Sequence, residues 1–198
     1  MPIVLTVDQR GSRRSTDRVE DALARLARRG ALRPFERTAG DEFQGVLDDP
    51  AAVVDVVLDL VRDGSWSIGV GAGPVEDPLP ASARAGRGEA FVLARAAVER
   101  AKRRPQHLAV HGVDPDGAQQ ADAVLTLLAA VVQRRTAAAW KALDLVAEGL
   151  PAAEVAARLG VTRQAVGQRL GTGLWPQEQA ARPVAARLLA AAGSGAPV

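Results

Sequence analysis

Apolar positions along the chain follow two regimes that meet near residue 113. In the first, short β-branched runs alternate with amphipathic stretches. Residues 3–7, Ile-Val-Leu-Thr-Val, read as a strand ending at Asp8, and residues 9–16 as a polar, arginine-rich loop. A helix is predicted over 17–29, with Val19, Ala22, Leu23 and Leu26 on its inner face and Gly30 ending it. Residues 34–38 and 42–47 read as two strands joined by a tight turn at Ala39-Gly40-Asp41. Pro50 starts a helix through 61, with Val53, Val54, Val57, Leu58 and Val61 inward. Residues 66–72 are a strand, because Ser-Ile-Gly-Val-Gly is too glycine-rich for a helix. A loop with three prolines follows over 73–81, then a helix from about 82 or 89 to 103, then a short strand at 106–110. The order β-α-β-β-α-β-α-β begins with the split β-α-β unit of a ferredoxin-like sheet.

The cluster Val113-Asp-Pro-Asp-Gly117 reads as a turn and a domain boundary. Beyond it only the helical period remains: 118–134, 136–148, a close pair between 151 and 170, and a last helix near 177–192. The small-residue tail 193–198 is expected to fray. The predicted fold class is α+β, with a ferredoxin-like sheet domain over 1–112 and an all-α domain over 118–198.

The pair between 151 and 170 carries the sharpest signal. Pro151 suits the first turn of a helix, where the missing N–H loses nothing. Val155, Ala156 and Leu159 give that helix a buried stripe, and Gly160 suits a left-handed end. Thr162 can cap the next helix, which turns Ala165, Val166 and Leu170 inward. Arg163, Gln164, Gly167, Gln168 and Arg169 then face outward. The side chains among them bond base edges and phosphates in a major groove, so the pair reads as a DNA-binding helix-turn-helix. The expected contacts to double-stranded DNA are Thr162, Arg163, Gln164, Gln168 and Arg169. The plainer alternative is a helical hairpin whose second helix is merely solvated. A homodimer is also expected: Ala121, Val124, Leu125, Leu128, Val131 and Val132 form a wide apolar face, partly core and partly contact, and a two-fold dimer matches a palindromic site.

Composition narrows the classes. An apolar content of 47% argues for a folded chain, and no apolar run nears the roughly 20 residues that cross a bilayer. There is no cysteine, hence no disulfide or thiolate site, and His107 and His111 are too few for a zinc centre. With no signal-peptide pattern, a cytoplasmic location is expected. The net charge of +2 hides an asymmetry: residues 125–198 carry eight Lys/Arg against four Asp/Glu, and residues 1–124 carry seventeen against nineteen. The basic half coincides with the helix-turn-helix, as phosphate attraction requires.

Candidate chemistry in the first domain rests on acids. Asp8 ends the first strand, and Asp41 and Glu42 stand at the hairpin that a ferredoxin-like sheet places beside it. Converging carboxylates hold Mg²⁺ for nucleotide phosphates. The loop after Asp8 supplies Arg10, Gly11, Ser12 and Arg13, which suit a triphosphate such as ATP, so Asp8, Asp41 and these four are the candidate nucleotide site. Each acid also has a plain role: Asp8 capping a turn, Asp41 shaping the hairpin, Glu42 solvated on its strand.

Gly40-Asp41-Glu42-Phe43, after a strand ending in aspartate, resembles the palm domain of class III nucleotide cyclases and diguanylate cyclases. Ser67-Ile-Gly-Val-Gly71 and Gly88-Glu-Ala-Phe-Val-Leu-Ala-Arg-Ala96 resemble segments that follow in those enzymes. With its C-terminal helix-turn-helix, the whole chain is similar to the bacterial SatD family. The resemblance implies a cyclase palm-like sheet that binds Mg²⁺ and ATP or another nucleotide. It departs from the enzymes at two positions. Where class III cyclases carry an asparagine and an arginine that stabilise the transition state, this chain has Val92 and Ala96. Arg95 is one position from the second. The function expected is therefore a DNA-binding transcriptional regulator whose degenerate cyclase-like domain senses a nucleotide. The alternative is a metal-dependent cyclase or nucleotidyl transferase with an attached DNA-binding domain.

Overall fold

The computed structural model describes residues 1–194, apart from the Arg13 side chain. Five strands form one mixed sheet: β1 (Ile3–Gln9), β2 (Arg33–Ala39), β3 (Glu42–Leu47), β4 (Trp66–Ala72) and β5 (Leu108–Gly112), in the order β2-β3-β1-β4-β5. Neighbours run antiparallel except β4 and β5, which are parallel. Eight α-helices complete the described residues: α1 (Val19–Leu26), α2 (Pro50–Asp63), α3 (Glu89–Ala101), α4 (Pro115–Gln133), α5 (Ala137–Ala147), α6 (Ala152–Leu159), α7 (Arg163–Thr172) and α8 (Trp175–Ser194). The chain is thus α+β, with a C-terminal part that is mostly helical.

Strand alternation divides the side chains between two faces. Ile3, Leu5 and Val7 of β1 enter the main core with Phe43, Val53, Val57, Leu60, Ile68 and Val70. On the opposite face Val4, Thr6 and Asp8 lie beneath α3. There α3 rests directly on β4, because a Cβ at Gly69 or Gly71 would overlap the α3 backbone at Val98, Ala94 and Ala90. The glycine alternation of Ser-Ile-Gly-Val-Gly therefore marks a helix seat as well as a strand.

Several elements depart from expectation. The first helix ends at Leu26 rather than 29, and Gly30 takes its positive φ of 62° beyond it. The last strand is shifted to Leu108–Gly112. The expected turn at 113–117 is instead a helix start: Asp114 accepts from the Asp116 N–H at 3.2 Å and Pro115 fills the first position. The apolar core also runs across the boundary expected there. Ala121, Leu125, Leu128 and Val132 of α4, with Ala185, Leu188, Leu189 and Ala192 of α8, share one core with the sheet and α2. A separate apolar cluster, centred on Ala142, Val155, Ala156 and Val166, belongs to α5, α6 and α7. Trp175 opens α8. Of the tail, Gly193 and Ser194 close α8, and 195–198 lie outside the described residues.

Candidate nucleic-acid interface and sheet-edge cleft

Helices α5, α6 and α7 contact one another pairwise. Between α6 and α7, Gly160 is left-handed (φ 62°, ψ 37°), which suits a residue without a Cβ. Thr162 Oγ1 accepts from the Ala165 N–H at 3.1 Å and caps α7. Val166 is buried, while Arg163, Gln164, Gly167 and Gln168 are exposed and Arg169 is partly covered. Among the described residues the side chains of Arg163, Gln164, Gln168 and Arg169 make no hydrogen bond or ion pair. One face of α7 thus closes a small core and the other carries side chains the fold does not use.

Two contacts fix this unit against α2 and α8. Arg62 of α2 makes a two-pronged bond to Asp144 of α5, at 2.6 and 2.8 Å, and lies 3.9 Å over the Trp140 ring. Arg135, in the α4–α5 connection, is buried against Glu178 of α8, and its Nε donates to the Gly173 carbonyl at 2.8 Å. Gly173 directly follows α7, so the buried pair holds the end of that helix.

The candidate acids lie side by side in the sheet, because Asp8 is the register partner of Glu42. Both are engaged by cations of α3. Lys102, just past α3, places Nζ 3.0 Å from Asp8 and 2.8 Å from Glu99. Buried Glu42 accepts from Thr38 Oγ1 at 2.6 Å and is ion-paired with Arg95. Asp41 sits in the β2–β3 turn, where its carbonyl accepts from the Gln9 N–H at 3.0 Å. Among the described residues no group of three or more His, Cys, Asp or Glu stands as a metal-ligand set. Asp8 and Glu42 are thus each engaged by a cation of the chain.

A cleft of about 500 Å³ opens beside them, lined by Gln9, Ser12, Ser15, Asp17, Gly40 and Asp41. It gathers Ser12 and Asp41 of the expected nucleotide site but not Asp8 or Arg10. The Arg10 side chain turns to the Gly64 carbonyl at 3.0 Å, and Gly11 is left-handed with φ 66°. The Arg13 side chain lies outside the described residues.

Two residues that shape the cleft carried no motif. Buried Gln9 donates to Ser15 Oγ and the Thr16 carbonyl and accepts from the Arg18 N–H, tying down the whole loop. Arg37 bridges Asp17, at 2.7 Å, and the Gly40 carbonyl across the rim. The Val19 N–H first, then Arg37, hold the Asp17 carboxyl below its ordinary pKa.

At the cyclase positions, Val92 is 69% exposed and Ala96 is exposed on α3, and neither offers a hydrogen-bonding side chain. Arg95, the neighbouring arginine, is held by Glu42.

Burial raises the Asp8 pKa above its ordinary value, although Lys102 opposes the shift, and Asp41 and Glu42 add repulsion. An acid raised in the fold favours its protonated form there. Its stabilising contribution is complete below the ordinary carboxylate pKa and is lost as pH rises through the raised value. Asp8→Asn is therefore expected to raise the melting temperature at neutral pH, with Glu99 still holding Lys102. The gain should shrink as pH falls into the carboxylate range. Melting curves over a pH series check this, and a variant less stable at neutral pH would contradict it.

No protein-family model, curated protein or solved structure matches the chain.

Among the described residues no helix is long and apolar enough to cross a membrane.

Proposed function

We propose that this chain is a DNA-binding protein, a transcriptional regulator that inserts α7 into the major groove of double-stranded DNA. The observation that carries this is the outer face of α7, where Arg163, Gln164 and Gln168 are exposed and unused by the fold. The left-handed glycine before Thr162 and the small core behind Val166 support a helix-turn-helix reading of α6 and α7. In this role Arg163, Gln164 and Gln168 reach base edges, and Thr162 and Arg169 reach the phosphate backbone.

The glycines of α7 add support. A Cβ at Gly167 or Gly171 would meet nothing within 4 Å, so neither glycine relieves crowding inside the protein. A helix-interior glycine costs about 1 kcal/mol relative to alanine. A bare helix face lets a groove approach closely. Gly167→Ala should raise stability by about 1 kcal/mol and weaken DNA binding. Denaturation and binding assays read the two signs separately, and a gain in stability with unchanged DNA affinity would deny Gly167 a place in the interface.

The strand order β2-β3-β1-β4, antiparallel throughout, supports a ferredoxin-like, palm-like reading of the sheet. In that reading the cleft beside Ser12 and Asp41 is where a nucleotide effector such as ATP enters. Such an effector regulates only by binding the DNA-competent and DNA-incompetent states with different affinity.

Fluorescence anisotropy of labelled duplexes, including DNA upstream of the chain's own gene, tests the proposal. The expected result is binding that weakens steeply with salt, because phosphate contacts release counterions. An ATP-dependent change in affinity that Asp41→Ala removes would support the sensor role. Absence of binding at low salt would overturn the DNA-binding role.

A further inference from the structure

The buried face of α4 is settled by its contacts with the sheet, α2 and α8, and among the described residues the opposite face has no partner. Asp116, Gln120, Ala123, Leu127, Ala130 and Arg134 succeed one another at alternating steps of four and three residues. That spacing puts all six on one stripe of a helix, about 27 Å long at 1.5 Å per residue. Ala130 is partly covered and the other five are exposed, Leu127 at 66%. Among the described residues, the side chains of Asp116, Gln120 and Arg134 make no hydrogen bond or ion pair. The stripe thus has a small apolar centre, an acid at its N-terminal end and a base at its C-terminal end.

These charges select one partner and one direction. We infer that α4 pairs antiparallel with α4 of a second copy of this chain, about a two-fold axis that crosses the exposed stripe midway between Ala123 and Leu127. Each residue then meets the one whose number completes the same sum about that midpoint. Ala123 faces the second copy's Leu127, so the large side chain fills the space over the small one. Gln120 faces Ala130. Asp116 faces Arg134, and symmetry supplies that opposite-charge contact twice. A parallel pair would instead set Asp116 against Asp116 and Arg134 against Arg134. The steps of four and three match the alternating core positions of an antiparallel coiled coil. A hollow of about 180 Å³ beside Leu127 and Ala130 leaves room for the partner's side chains. The pairing stands independently of DNA binding.

Sedimentation analysis of the full chain across micromolar concentrations tests it. The expected result is a monomer–dimer equilibrium that Leu127→Glu shifts to monomer. Arg134→Asp should weaken the dimer about tenfold, because opposite charges become like charges at two symmetric places. Adding Asp116→Arg to that variant should restore the dimer by exchanging the charges. The substituted positions are exposed, so native helix content by circular dichroism and a cooperative unfolding transition show that the fold survives in each variant. A chain that stays monomeric overturns the inference. A dimer indifferent to Leu127→Glu places the interface elsewhere and overturns it equally. Failure of the charge exchange to restore a dimer that Leu127→Glu does dissociate overturns the antiparallel register.

Discussion

Alanine at both Arg163 and Gln164 should reduce affinity for a specific duplex on the order of a hundredfold and leave the fold intact. A well-formed side-chain contact to a base edge is worth about 1–3 kcal/mol of discrimination. Two lost together account for an effect of that size. The fold should not notice, since both side chains are exposed and neither bonds to another described residue. Surface changes of this kind usually stay within about 0.5 kcal/mol. Arg163→Lys separates two roles. Lysine keeps the charge but loses the planar fork, so it preserves a phosphate contact and fails at a two-pronged base contact. Anisotropy against specific and unrelated duplexes, with melting curves alongside, reads both variants. Equal affinity for wild type and double variant would remove α7 from the interface.

The largest effect on stability is expected at Glu178. Its side chain and that of Arg135 are each only 1% exposed, and they meet as an ion pair. Arg182 also donates to Glu178, at 2.8 Å from Nε. Removing one partner of a buried pair strands the other charge away from water, which costs about 3–5 kcal/mol. Domains are stable by about 5–15 kcal/mol in all, so Glu178→Ala should fold marginally. Arg135→Met together with Glu178→Leu should cost far less than the sum of the single changes, because no charge is left stranded. Chemical denaturation of the two single variants and the double variant measures the coupling. The effect should also reach DNA binding, because Arg135 holds the Gly173 carbonyl at the end of α7. A loss under about 1 kcal/mol for Glu178→Ala would show that water reaches the pair.

Local signals made much of the fold legible. The hairpin at Gly40-Asp41 and strand β4 were readable because turn chemistry and glycine alternation act over a few residues. The caps at Gly160 and Thr162 were readable for the same reason. The start of α4 was not. Asp-Pro-Asp-Gly serves a turn as well as a helix N-terminus, and only tertiary contact decides between them. A Cβ at Gly117 would overlap the Asp114 carboxylate and also crowd the backbone of Ala192 of α8, which is remote in sequence. The docking of α4 and α8 onto the sheet was hidden likewise, since alanine-rich faces look alike whatever they cover.

At the candidate sites, residue types were legible but pairings were not. Asp8 and Glu42 were placed near each other by the expected strand order, with the first strand beside the hairpin, and they are register partners. That Lys102 and Arg95 would engage them depends on where α3 lies, which no spacing in the sequence encodes. Gln9 and Arg37 shape the cleft through bonds to a loop and a turn, so neither forms part of a motif. The outer face of α7 needed only the helical period and the two caps, and it was readable almost in full.

The most direct test of the account is amide hydrogen exchange of the full chain with and without duplex DNA at low salt. Slowed exchange concentrated in α7 and the turn before it, residues 160–172, is the result it predicts. Protection that bypasses α7 and falls on the sheet or α3 would contradict it.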